Sequence, residues 1–501
     1  MTFISRILGF VRDLIAAQIF GATAAVDAFY IAFRIPNFMR NLFAEGSFSQ
    51  AFVPVLSDYR QNHTSDETRV FISRMAGSLS LVLLIVTILG VLNSSTIVHI
   101  FAPGLDPLRF QLASHMLSIT FPYLMLISLT AFVGAILNSY GKFSIPALTP
   151  ALLNICLIAT AFGVTRYFAV PVEAQAWGVL LAGFVQFFFQ LPALRRIHFL
   201  VRPRLFWRDR GVQRVLKLMI PAIFGASIAQ LSLLLNTVFA SFLVVGSVSW
   251  LYYSERLAYF PLGVFGVALA TVILPQLARH HASESKKEFS QTLDWGLRCN
   301  LLIGLPASLA MLLLSGPLIV SLFHYGKFNL HATLMTQKSV VAYSFGLLAF
   351  MLVKVLSSAC YAKQDVKTPV KITVVALSIN IILSAILIWP LAHAGLALAS
   401  SLSSWVNVVI LWIVLHRRGI AKTQSGWFAF LCQLFFANGV LAIFLWKASG
   451  ETLQWIAWNW HQRLGHLSLL GISAIALYVL CLYASGLRPT KGERRSPLRD
   501  A

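Results

Sequence analysis

The chain has 501 residues, of which 58% are hydrophobic and only 11% are charged, and its mean hydropathy is +0.77. This composition excludes a soluble globular protein and is typical of a membrane protein with many spans. A net charge of +22 can indicate a nucleic-acid-binding protein, but here the basic residues recur in separate loops instead of forming one patch, so we predict no nucleic-acid partner.

Apolar stretches follow one another along the chain and are separated by short polar or basic breaks. A membrane-spanning helix needs about 20 predominantly apolar residues. The sequence therefore predicts an all-α polytopic membrane protein with about fourteen transmembrane helices, at 2–20, 26–50, 72–101, 116–139, 146–165, 175–194, 216–244, 248–275, 292–323, 339–361, 369–390, 394–415, 426–447 and 466–486.

The basic residues between these helices indicate how the chain is oriented. With the N-terminus in the cytoplasm, most of the 39 Lys and Arg residues fall in cytoplasmic loops, including Lys142, Lys363 and the tail from Arg488 to Arg499. The outer loops contain few basic residues, among them Arg109 and Lys327. Because cytoplasmic loops of membrane proteins carry an excess of Lys and Arg, we expect both termini in the cytoplasm.

The two halves of the chain resemble each other at an offset of 221–222 residues. Four separated landmarks keep this offset: Arg34 with Arg256, Pro54 with Pro275, Ile97, Val98 and Phe101 with Ile319, Val320 and Phe323, and Tyr140 and Lys142 with Tyr361 and Lys363. Each copy contains six predicted helices, so both copies have the same orientation and are related by an axis along the membrane normal. Parallel repeats of this kind surround a midplane substrate site in many secondary transporters.

The repeat also predicts the domain organisation. We expect an N-terminal six-helix lobe at 1–200, a C-terminal six-helix lobe at 201–422, an extra helix pair at 423–487 and a basic cytoplasmic tail at 488–501.

Several charged side chains lie inside the first, second and eighth predicted helices, where they cannot serve as topology signals. They are Arg6, Arg12, Asp13, Asp27, Arg34, Arg40, Glu45, Glu255 and Arg256. An arginine at the centre of a bilayer costs about 2.5–3.5 kcal/mol on insertion scales, so five such residues indicate a functional site. The repeat-equivalent Arg34 and Arg256 each lie roughly 12 Å into their helices, near the midplane.

Two interpretations of these charges are open. In the first they only pair with one another, because Asp27 and Arg34 are seven residues apart and so share one helix face, as do Arg6 and Asp13. In the second they bind a substrate phosphate, because a guanidinium group is never neutral and its planar fork fits phosphate oxygens. The choice of arginine over lysine favours the second interpretation.

Three segments resemble the MurJ (MviN) family of lipid II flippases, members of the MOP exporter superfamily. They are SRILGFVRD (5–13), DAFYIAFRIPNFMRNLFAEGSFSQAFVPVL (27–56) and YYSERLAYFPLGVFGVALATVILP (252–275). The resemblance implies a fourteen-helix fold in which two six-helix lobes form a V around a cationic cavity. It also implies that the final helix pair takes the polyprenyl tail of the lipid.

The resemblance further implies roles for individual residues. Those that make the cavity cationic and bind substrate are Arg6, Arg12, Arg34, Arg40 and Arg256; those that line the cavity or support it are Ser5, Asp27, Glu45, Ser249 and Glu255. Some relatives bind sodium through carboxylates on the seventh, eleventh and twelfth helices, where this chain offers only amides and hydroxyls. Asn236, Thr373, Asn380 and Ser404 are therefore interpreted as helix-packing residues, with a sodium site at Asn236 and Asn380 as the alternative.

The expected function is the transfer of lipid II, the undecaprenyl-pyrophosphoryl disaccharide-pentapeptide, across the bacterial inner membrane by a monomer. The alternative is another MOP exporter, either a polysaccharide-lipid carrier or a multidrug carrier, although an exporter of cations should expose acidic residues. An enzyme is not expected, because no nucleophile, glycine-rich phosphate loop or metal-ligand spacing occurs, and the five cysteines show no CxxC pattern. No cofactor is predicted.

Overall fold

The computed structural model describes residues 2–40, 48–421 and 424–486, and within these ranges all regular structure is helical. The helices before residue 200 are α1 (Thr2–Phe20), α2 (Ala24–Arg40), α3 (Phe48–Asn62), α4 (Ser65–Leu92), α5 (Ser94–Phe101), α6 (Pro107–Thr120), α7 (Tyr123–Ser139), α8 (Ser144–Gly163) and α9 (Glu173–Arg196). A 3-10 turn lies at Thr165–Tyr167.

The helices after residue 200 are α10 (Arg210–Ser241), α11 (Ser247–Pro261), α12 (Val267–Ala282), α13 (Lys286–Leu313), α14 (Ser315–Phe323), α15 (Leu330–Ala362), α16 (Lys367–Arg417), α17 (Trp427–Ser449), α18 (Thr452–Ala457) and α19 (Trp460–Ala484). A π-helical turn at Leu262–Gly266 joins α11 to α12 without a loop. Such turns insert one extra residue into a helix and are frequent near functional sites.

Ten helices of the described ranges are long and apolar enough to cross a membrane, which confirms the all-α polytopic class. The long helix α16 contains two of the predicted spans, and its backbone breaks between them at Ala392, where φ is 47° and ψ is −128°. The charged helix α1 and the short helix α2 are not among the ten. The total of fourteen therefore stays a prediction.

The chain forms two compact units, each built from separate segments. The first consists of Met1–Arg256, Tyr325–Thr336 and Thr373–Ala399, and the second of Leu257–His324, Gln337–Ile372 and Ser400–Ala501. The division into lobes at residues 200 and 422 stays a prediction, and the predicted tail at 488–501 lies outside the described residues.

Each unit has its own apolar core. In the first unit, α3, α4, α7, α9 and α10 pack around fully buried side chains such as Phe52 and Ile136. In the second unit, α12, α13, α15 and α16 pack around Ile273 and Val355, and α14, α17, α18 and α19 form a separate cluster around Trp455. Because lipid is as apolar as these side chains, tight packing rather than exclusion from water stabilises such clusters.

Helix boundaries repeat at the predicted offset. The 28-residue helix α4 begins at Ser65 and the 28-residue helix α13 begins at Lys286, 221 residues later. Each is followed, after a one-residue break, by a short helix that begins with serine, α5 at Ser94 and α14 at Ser315. The internal repeat inferred from four sequence landmarks is thus present in the backbone.

A buried arginine connects α19 by hydrogen bonds to two shorter helices of the second unit. Arg463 donates hydrogen bonds to the carbonyl oxygens of Trp455 (2.9 Å) and Ile456 (2.9 Å) in α18, and to those of Val320 (3.3 Å) and His324 (3.0 Å) at the end of α14. The last carbonyls of a helix have no partner within the helix and carry partial negative charge. A single guanidinium group thus donates to four carbonyl oxygens at the ends of two helices.

We expect Arg463→Met to lower the stability of the second unit by about 3 kcal/mol, because it strands several buried carbonyl groups. The measurement is the thermal unfolding midpoint of the purified protein in detergent micelles. Arg417→Met, which removes an exposed arginine at the end of α16, is the matched control and should leave the midpoint unchanged. Equal midpoints for both variants would show that Arg463 contributes nothing to the packing.

Candidate functional site

The candidate site lies where α2 and α11 pack against each other inside the first unit. Two pairs of residues at the repeat offset of 222 are in direct contact: Asp27 with Ser249, and Tyr30 with Tyr252. The rings of Tyr30 and Tyr252 stack with their centroids 3.8 Å apart. Residues that touch their own equivalents lie next to a two-fold axis. The contact between α2 and α11 therefore brings residues at the repeat offset side by side.

A carboxylate on α1 is shared by two arginines. Arg12 donates to Asp13 Oδ1 from Nε (3.0 Å) and Nη2 (2.6 Å), and Arg256 Nε lies 3.1 Å from Asp13 Oδ2. The Tyr252 hydroxyl donates to Asp13 Oδ1 (3.1 Å) and accepts from Arg12 Nη2 (3.0 Å) and Arg256 Nη2 (2.9 Å). Asn154 Oδ1 accepts from Arg12 Nη1 at 3.1 Å. Side chains from α1, α8 and α11 thus form one connected network.

This network carries a net positive charge that is partly accessible. Asp13 and Arg12 are buried, with side-chain exposures of 2% and 10%, whereas the Arg256 side chain is 45% exposed. Two guanidinium groups share one carboxylate, so one positive charge is left uncompensated within the network. An exposed guanidinium group held in place by Asp13 and Tyr252 is suited to bind a phosphate oxygen.

Arg34 and Glu255 form a second, nearly buried ion pair. Arg34 Nη2 donates to Glu255 Oε2 at 2.9 Å and Arg34 Nη1 donates to Thr237 Oγ1 at 2.8 Å, while the two charged side chains are 15% and 14% exposed. The seven-residue spacing places Asp27 and Arg34 on one helix face, but the structure pairs Arg34 with Glu255. Arg34 contacts α11, because packing places the Glu255 carboxylate within hydrogen-bond distance of its guanidinium group.

Asp27 stabilises the start of α11. Its fully buried carboxylate accepts hydrogen bonds from the backbone N–H of Gly246 (2.7 Å) and of Ser249 (2.9 Å), and from the Ser249 hydroxyl (2.5 Å). Arg109 Nη1 lies 3.7 Å from the same carboxylate. A carboxylate at a helix N-terminus pairs with unsatisfied N–H groups and with the positive end of the helix dipole. Asp27 thus caps the start of α11, and its predicted role in supporting a substrate cavity stays a prediction.

The other predicted site residues are more scattered. The Ser5 carbonyl oxygen accepts a hydrogen bond from Asn154 Nδ2 at 3.1 Å, and Arg6 is exposed one residue further along α1. Arg40 is half-buried at the end of α2, where its Nε donates to Asn37 Oδ1 at 3.0 Å. Glu45 lies outside the described residues.

Four members of the site were missed from the sequence: Arg109, Asn154, Thr237 and Tyr252. The repeat could have revealed Tyr252, because it stands at the offset of Tyr30. Arg109 was interpreted as a residue of an outer loop, but it is buried at the start of α6. Asn154 and Thr237 carry no charge, and polar residues of this kind are common in membrane helices.

The sodium-site candidates show no acidic ligand set. Asn380 is buried and Asn236 is half-buried. In the part of the chain that the structure describes, no group of three or more His, Cys, Asp or Glu side chains is placed to hold a metal ion. A hard cation such as sodium prefers oxygen ligands that include carboxylates.

Comparison with known proteins gives a consistent result. The family model for the lipid II flippase MurJ matches residues 16–461. The probable lipid II flippase MurJ of Vibrio cholerae serotype O1 is 44% identical over 499 residues, which cover 97% of this chain and 95% of the relative. A solved structure of lipid II flippase MurJ in an inward closed conformation has a TM-score of 0.81 at 28% identity, covering 97% of this chain and 98% of that one. A multidrug resistance MATE family transporter of the MOP superfamily, solved in an inward-facing conformation, shares the fold with a TM-score of 0.68 at 14% identity, over 83% of this chain and 94% of that one.

Proposed function

The chain belongs to the MurJ family of lipid II flippases, and on that premise we propose that it carries lipid II from the inner to the outer leaflet of the bacterial inner membrane. The family is one of transporters, so the chain is not an enzyme. The charged head group of lipid II cannot cross the hydrocarbon layer unaided, because charges there are costly. Alternating access, in which a polar site opens first to one side and then to the other, removes that barrier.

The observation that carries this proposal is the network in which Arg12 and Arg256 share Asp13. In this network the half-exposed guanidinium group of Arg256 is held in place, and one positive charge is not compensated by a carboxylate. We propose that the pyrophosphate is bound by this network together with the other arginines predicted for the site, Arg6, Arg34 and Arg40. Ser5, Asp27, Glu45, Ser249 and Glu255 are proposed to hold the arginine-bearing helices in place.

A transport assay tests the function directly. Purified protein in liposomes that contain fluorescent lipid II should expose the labelled head group on the opposite leaflet, whereas a lipid with a neutral head group should not cross. Imposing a membrane potential and ion gradients separately identifies the driving force, because the potential contributes about 2.3 kcal/mol per charge per 100 mV. Absence of lipid II movement under every gradient would refute the proposal.

Mass photometry of the protein in nanodiscs tests whether it acts as a monomer.

We also propose that both termini face the cytoplasm. In the first unit, the backbone N–H of Lys327 donates to the carbonyl oxygen of Gln18 at 2.9 Å, so the loop before α15 lies on the same side of the membrane as the end of α1. With α1 entering from the cytoplasm, that side is the outer one. The excess of basic residues in the opposite loops supports this orientation.

A single cysteine at position 327 should react with an impermeant thiol reagent added to intact cells, whereas one at position 142 or 363 should react only after the cells are opened. The background for these variants must lack the native cysteines, since Cys432 is exposed. Labelling of Lys142→Cys and Lys327→Cys from the same side would contradict the topology.

A further inference from the structure

The connection between α9 and α10 in the first unit, residues 197–209, is a basic segment without helix, which we call the strap. All of its arginines are exposed: Arg202, Arg204 and Arg208. Its one acidic residue, Asp209, is buried and pairs with Arg74 of α4 at 2.6 Å. The strap therefore presents guanidinium groups at its surface that its own carboxylate does not neutralise.

Backbone contacts hold the strap against α4. The backbone N–H of Arg204 donates to the carbonyl oxygen of Ser73 at 3.0 Å, and the Ser73 hydroxyl donates to the carbonyl oxygen of Arg202. A Cβ atom on Gly77 would lie 2.3 Å from the Arg204 carbonyl oxygen, so the two backbones approach this closely because the helix has glycine there. The position of the strap relative to α4 is thus fixed.

These contacts place the strap at one boundary of the hydrocarbon layer. The last charged residue of α4 is Arg74, and the stretch from 75 to 92 carries no charge. An uncharged, apolar stretch of this length lies within the hydrocarbon of a membrane. Ser73 and Gly77 stand on either side of the start of this stretch, about 6 Å apart along the helix axis. The strap therefore crosses α4 at the height of the lipid headgroups.

The strap also exposes large apolar side chains at this height. The exposed fractions are 59% for Leu205, 47% for Phe206 and 41% for Trp207. Aromatic side chains next to arginines are typical of segments in the membrane interface, where rings enter the boundary and charged groups stay among the headgroups. An acidic protein surface would also attract the arginines, but it would not explain why exposed aromatic residues lie at the hydrocarbon boundary.

We propose that the strap binds the headgroups of anionic phospholipids in the leaflet on its side of the membrane. Clusters of basic residues beside a membrane span attract anionic lipids, and guanidinium groups donate paired hydrogen bonds to phosphate oxygens. With the orientation proposed above, this leaflet is the cytoplasmic one. The inference does not depend on which substrate the protein carries.

The test measures the contact between Trp207 and two lipids in nanodiscs of the purified protein. Each disc contains equal amounts of phosphatidylglycerol and phosphatidylcholine, and one of the two carries bromine near the start of its acyl chains, where it quenches tryptophan fluorescence on contact. Comparison with Trp207→Phe separates the Trp207 signal from that of the other tryptophans.

Two triple variants, each made with and without Trp207, complete the experiment. The first replaces the arginines of the strap by glutamine: Arg202→Gln, Arg204→Gln and Arg208→Gln. Glutamine preserves the hydrogen bonds to α4, because these use backbone atoms of the strap. The matched control removes three exposed basic residues around the connection between α12 and α13 in the second unit: Arg279→Gln, Lys286→Gln and Lys287→Gln.

We expect the Trp207 signal to show an about fivefold preference for brominated phosphatidylglycerol, the attraction of one arginine at an anionic surface. The strap variant should be quenched equally by both lipids, and the control should keep the preference of the wild type. Equal quenching in the wild type, or loss of the preference in the control as well, would overturn the headgroup site. Absence of quenching by either lipid would also overturn it and would leave the strap facing water or an acidic protein.

Discussion

Replacing Arg256 by lysine is expected to reduce lipid II flipping about tenfold while the protein is produced and inserted normally. Lysine keeps the charge but loses the planar fork, and the difference between a bidentate and a single charge-assisted hydrogen bond to phosphate is about 1.4 kcal/mol. Stability should change little, because Arg12 still neutralises the buried Asp13 carboxylate. The measurement is the initial flipping rate in liposomes, with thermal unfolding in detergent as the check on folding.

Arg214→Lys serves as the matched control for this variant. Arg214 also forms an ion pair, with Asp58 at 2.6 Å, but its side chain is 58% exposed and lies outside the site. Exposed pairs contribute at most about 1 kcal/mol, so this substitution should affect neither stability nor flipping. If Arg256→Lys flipped lipid II as fast as Arg214→Lys does, Arg256 would act only as a counter-ion to Asp13.

The ion pair between Arg34 and Glu255 offers a second test, with a large effect on stability. Arg34→Gln should destabilise the protein by about 3 kcal/mol, because it leaves the Glu255 carboxylate nearly buried without its partner. Glu255→Gln should destabilise it similarly by stranding the guanidinium group. The double variant removes both charges, so most of the lost stability should return. Thermal unfolding of the three variants gives the coupling energy as a double-mutant cycle.

Flipping by the same variants separates a substrate role of Arg34 from a structural one. If Arg34 contacts the pyrophosphate, the double variant should regain stability and still flip lipid II slowly, because no guanidinium group remains at that position. We expect this outcome. Recovery of flipping to the wild-type rate in the double variant would assign Arg34 to the stability of the contact between α2 and α11 alone.

The sequence by itself determined the class of the protein and most of its architecture. The apolar composition required a membrane environment, and the spacing of apolar stretches located helices that the structure confirms. Charges inside these stretches made Arg12, Arg34 and Arg256 candidate site residues, because burying a charge in lipid is costly. The offset of 221–222 residues also appears in the boundaries of α4 and α13.

Only the tertiary structure decided which charge pairs with which. Spacing along one helix suggested Asp27 as the partner of Arg34, whereas the structure pairs Arg34 with Glu255 and uses Asp27 to cap α11. A helix face can be predicted from periodicity, but the neighbour that it meets depends on how distant segments pack. For the same reason neutral residues such as Asn154 and Thr237 could not be recognised, since an uncharged side chain becomes part of a site only through the groups that packing places within hydrogen-bond distance.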